Sequence, residues 1–135
     1  MRPFELTQNQ SNLIYRTSYL LAFSSVYGFY KGHYMCIFPF LSFLSSVNHW
    51  RDPRYDWKRR IDLIVVRNSI TVHSILAYTM EYSLYYYYLL AVSLALYPLS
   101  WYFYNKKQYL ISTYLHCLYH ITCNMGCIIL YQEAR

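Results

Sequence analysis

The chain has 135 residues, a length that suits one domain. Its make-up is 56% hydrophobic, 21% aromatic and only 13% charged, with a net charge of +6. That balance excludes an ordinary soluble domain and points to a membrane. The mean hydropathy of +0.09 understates this, because hydropathy scales penalise tyrosine and there are 19 tyrosines.

Met1 to Asn12 is polar and contains Pro3. It lacks the basic, apolar and small-residue layout of a cleaved signal, so the first apolar segment is expected to be retained. Five apolar segments follow, from Leu13 to Tyr30, Tyr34 to Trp50, Ile61 to Met80, Tyr82 to Tyr104 and Tyr109 to Tyr131. Each is close to the ~20 residues that cross ~30 Å of hydrocarbon. Short joins make successive helices antiparallel. The expected fold is therefore all-α, a single polytopic transmembrane bundle of about five spans over residues 1–135. Arg16 and Arg67 fall inside segments and are expected to snorkel or pair. Pro39 and Pro98 are expected to bend their helices, and Gly28, Gly32 and Asn105 with Lys106 to mark turns.

Between the second and third segments stand Arg51, Arg54, Lys58, Arg59 and Arg60, with Asp52 and Asp56. Placed between apolar segments, this cluster reads as a cytoplasmic loop on anionic lipid headgroups rather than as a nucleic-acid surface. Together with Arg2, Lys106 and Lys107 it puts the N-terminus in the cytoplasm. Lys31 and Arg135 mark the other side, with the C-terminus outside the cytoplasm. Cys36, Cys117, Cys123 and Cys127 all lie in apolar segments without a CxxC pattern, and read as packing thiols.

Polar groups inside apolar helices are costly, so they define the candidate site. His116 and His120 are four residues apart in the fifth segment, and Ser45 and His49 have the same spacing in the second. On a helix each pair shares a face. Asp62 opens the third segment just after the basic loop. Three neutral imidazoles around Zn2+ leave a fourth position for water, and a carboxylate that is not a ligand takes its proton. At ~1.5 Å rise per residue, His116 and His120 lie deeper than His49, a mismatch that the fifth helix closes if it projects beyond the membrane face.

The order Ser-x-x-x-His, Asp, His-x-x-x-His resembles the signature of the CREST superfamily of seven-helix membrane hydrolases, which includes the alkaline ceramidases and the progestin and adipoQ receptors. The resemblance implies that His49, His116 and His120 bind zinc, that Asp62 orients or deprotonates the zinc water, and that Ser45 steadies the oxyanion. It further implies hydrolysis of a membrane lipid's amide or ester bond. The chain departs from the family in having room for five spans, and Met1 to Asn12 has no counterpart of the acidic segment that alkaline ceramidases place near calcium. Two alternatives stay open. His73, near the middle of its segment, is placed to face His120 across a b-type haem, and the basic loop alone suits a non-enzymatic membrane adaptor.

Overall fold

A computed structural model describes residues 4–133. Among them there are six α-helices: α1 (Gln8–Ser18), α2 (Leu20–Tyr30), α3 (Ile37–Trp50), α4 (Trp57–Ala77), α5 (Ser83–Asn105) and α6 (Tyr109–Tyr131), with a 3₁₀ turn at Tyr34–Cys36. The all-helical expectation holds, and α6 has the bounds of the fifth segment.

The first segment is two helices. α1 starts early because Thr7 accepts from the Gln10 backbone N–H while the Gln10 side chain accepts from that of Thr7, a reciprocal cap. It breaks at Tyr19, where the Thr17 and Ser18 hydroxyls both donate to the Ile14 carbonyl at 2.9 and 3.0 Å. Such back-bonding competes with the helical ladder. Pro39 is the third residue of α3, in the first turn, where a missing N–H costs no ladder bond, so it starts a helix rather than bending one. α4 starts four residues before Ile61, capped by Asp56, which accepts from the Lys58 and Arg59 N–H groups. Gly32 is a turn residue with φ +71, whereas Gly28 lies inside α2. A Cβ on Gly28 would stand 2.8 Å from Cys36 Cβ and from the Tyr131 ring, so this glycine serves close packing rather than a turn.

The expectation of membrane spans is corrected. Among the described residues no helix is long and apolar enough to cross a membrane. α1, α2 and α3 have 11, 11 and 14 residues. α4, α5 and α6 are longer, but basic residues interrupt α4, tyrosines crowd α5, and His116, His120 and Asn124 interrupt α6. Arg2 and Arg135, two of the charges used to orient the chain, lie outside the described residues.

α5 and α6 pack against each other more extensively than any other pair, and α3 packs on α4. α4 meets α5 only sparsely. The bundle is closed by small polar residues: among the described residues 19 buried side chains are polar or charged and 12 are hydrophobic. Ser18, Ser24, Ser46 and Ser93 are almost wholly enclosed, while Phe29, Tyr30, Tyr78 and Leu84 are three-quarters exposed or more. All four cysteines are free thiols.

Candidate functional site

Three helices direct polar stripes inward. Ser42, Ser45, Ser46, His49 and Trp50 follow one buried face of α3, and Asp62, Ser69 and His73 one of α4. Ser112, Thr113, His116, His120 and Asn124 do the same on α6. Because α4 and α5 scarcely touch, the stripes border a cavity of about 250 Å³. Leu63, Val66, Ile70, Leu90 and Leu94 form its apolar walls, and Ser46, His49, Asp62, His116 and His120 also line it.

Asp62 Oδ1 accepts from Ser45 Oγ at 2.8 Å and from Ser46 Oγ at 2.7 Å. Ser45 Oγ is also 3.1 Å from the Ser42 carbonyl, so its one hydrogen is divided and Ser46 is the full donor. Asp62 Oδ2 has no hydrogen-bond partner among the described residues. Burial raises the Asp62 pKa, opposed by the two serines and by the charge of Arg59. The Arg59 guanidinium lies 5.2 Å from the Tyr55 ring centroid and 5.1 Å from that of Trp101.

His120 Nδ1 is 3.0 Å from Thr17 Oγ1, whose hydrogen already goes to the Ile14 carbonyl. Nδ1 therefore carries the proton and Nε2 presents a lone pair. Burial pushes its pKa down to about 4. His116 lies 4.9 Å from His120 and 4.9 Å from Trp50 between ring centroids. Burial, then the neighbouring His120 and His49, holds it well below the ordinary histidine value. His49 is 4.9 Å from the same Trp50 ring and 5.6 Å from Phe4. Among the described residues its buried Nδ1 has no hydrogen-bond partner, and burial followed by Arg59 pushes its pKa to about 4.

The structure brings His49, Asp62, His116 and His120 to the lining of one cavity. It corrects the metal reading: among the described residues no group of three or more His, Cys, Asp or Glu side chains is placed to hold a metal ion. The reason is visible in the rings. The Trp50 indole packs on both His49 and His116, and Thr17 fixes the His120 ring, so the imidazoles do not converge on the point that Zn2+ requires.

Ser45, expected to steady an oxyanion, stands behind Asp62 instead. Thr17 escaped the sequence reading, since a hydroxyl in an apolar helix carries no signal of its partner. Arg59 was read as a lipid-facing cation, yet it lines the cavity. His33 is 2% exposed and packs on the Tyr131 ring. His73 has both nitrogens occupied: Nδ1 donates to the Ser69 carbonyl at 2.8 Å, and Nε2 is 2.6 Å from the Tyr131 hydroxyl. It is a structural histidine with no nitrogen left for a haem iron.

No family model matches the sequence, and neither a curated protein nor a solved structure is significantly similar to it.

Proposed function

We propose that the cavity binds an amphiphile with one apolar chain and that its polar end hydrolyses the amide or ester bond of that molecule. One observation carries the reading: apolar walls lead to an end lined by His49, Asp62, His116 and His120, where among the described residues the hydrogen bonds of His120 and Asp62 use Nδ1 and Oδ1 and leave Nε2 and Oδ2 for a ligand. Buried polar groups are normally satisfied, and those left open in a cavity mark a ligand site. The likeness in order and spacing to the CREST pattern supports the same reaction class, carried here by the protein's own acid and base groups.

In this mechanism His120 Nε2 takes a proton from water as the water oxygen bonds to the substrate carbonyl carbon. The resulting imidazolium returns that proton to the departing nitrogen or oxygen as its bond to carbon breaks. Asp62, anchored by Ser45 and Ser46, offsets the transient imidazolium charge, and Thr17 keeps His120 in the working tautomer. His116 donates to the developing oxyanion.

The test is turnover of a series of p-nitrophenyl acyl esters and N-acyl amides by the full chain. His120→Ala and Asp62→Asn are expected to lower kcat by about 100-fold or more. Leu63→Trp, which narrows the apolar wall, is expected to raise KM for longer chains with little change in kcat. Because His120 becomes protonated towards about 4 and burial raises the Asp62 pKa, activity is expected to fall as pH is lowered towards 4. Turnover undiminished in His120→Ala, or none with any acyl length, overturns the proposal.

A further inference from the structure

The start of α4 has a second face that the cavity does not use. Arg59, Asp62, Leu63 and Val66 line the cavity. On the opposite side, Trp57, Ile61 and Ile64 follow one another at spacings of four and three and are 56%, 44% and 57% exposed. That spacing makes a single outward stripe. Arg60 flanks it on one side and Lys58 on the other, and exposed Arg51 and Arg54 stand in the preceding loop.

The acids nearby do not neutralise this face. Asp56 caps the helix through the Lys58 and Arg59 N–H groups, and Asp52 pairs with Arg54 at 3.1 Å. Arg51, Lys58 and Arg60 form no ion pair among the described residues. Cations alone would suit any polyanion. An exposed tryptophan and two isoleucines between them suit a polyanion with an apolar layer beneath its charge, which is an anionic lipid surface. Phe40, Leu41 and Leu44 of α3, the helix packed on α4, are also exposed.

We infer that the N-terminal half of α4 and the Arg51–Arg60 loop dock on an anionic lipid surface, with Trp57, Ile61 and Ile64 entering the acyl boundary and Arg51, Lys58 and Arg60 meeting the headgroups.

Flotation of the full chain with vesicles tests this. Binding is expected to phosphatidylcholine vesicles that contain phosphatidylserine, to be weak on phosphatidylcholine alone, and to fall as salt is raised. The double variant Arg51→Glu, Arg60→Glu, with its helical content checked by circular dichroism, is expected to bind about tenfold more weakly or worse. Trp57→Ser is expected to weaken binding at every salt concentration. Equal binding to neutral vesicles, an unaffected double variant, or binding to duplex DNA without binding to vesicles overturns the inference. The salt arm uses the unaltered chain and holds even if a variant misfolds. Ester turnover on soluble short-chain substrates is independent of the vesicles, so the docking and hydrolysis readings fail separately.

Discussion

At the scale of single residues, the histidines differ in what their nitrogens meet. His73 is satisfied on both sides, His120 on one, and His49 keeps a buried Nδ1 with no hydrogen-bond partner among the described residues. All of them, with His116, are held neutral by burial. In an unfolded chain they titrate near 6.5, so between 6.5 and about 4 the unfolded state binds more protons and stability falls as pH falls. Each contributes a loss of up to about 1.4 kcal/mol per pH unit in that window. Asp62 has the opposite sign: with its folded pKa raised, its contribution is lost as pH rises from the ordinary carboxylate value through the folded one. The melting temperature is therefore expected to drop between pH 7 and 5. His73→Gln is expected to flatten that drop by about one proton's worth. An unchanged slope would show that His73 does not titrate on unfolding.

At the scale of the helices, local chemistry sets where each begins, and packing sets how closely it approaches its neighbours. Asp56→Ala removes the cap of α4 and is expected to cost about 1 kcal/mol in chemical denaturation. Gly28→Ala is expected to cost about 1–3 kcal/mol, because the new methyl group meets Cys36 Cβ and the enclosed Tyr131 ring. Gly126→Ala, whose methyl would be 3.4 Å from the Tyr86 ring, is expected to be tolerated. Equal losses at the two glycines would contradict the close approach of α2 to Tyr131. The third segment could not be bounded from its apolar run, since the cap at Asp56 lies among charged residues that look like loop. The split of the first segment was hidden for a similar reason: Thr17 and Ser18 turn a helix only through bonds to a carbonyl.

For the molecule as a whole, the sparse contact between α4 and α5 leaves the cavity open, and a ligand that fills it binds the folded state alone. A medium-chain acyl ligand at about 100 times its Kd is expected to stabilise the fold by about 2.7 kcal/mol, read as a rise in melting temperature. No rise with any chain length would show that the cavity holds no acyl group. The all-helical class and the bounds of α6 followed from the sequence, because periodicity assigns each residue a helix face whatever lies beyond it. Whether those faces converge on one ion, or on an open cavity divided by Trp50, was decided only by the tertiary packing. Spacing along a chain constrains the direction of a side chain from its own helix axis, but not the aromatic ring that another turn interposes.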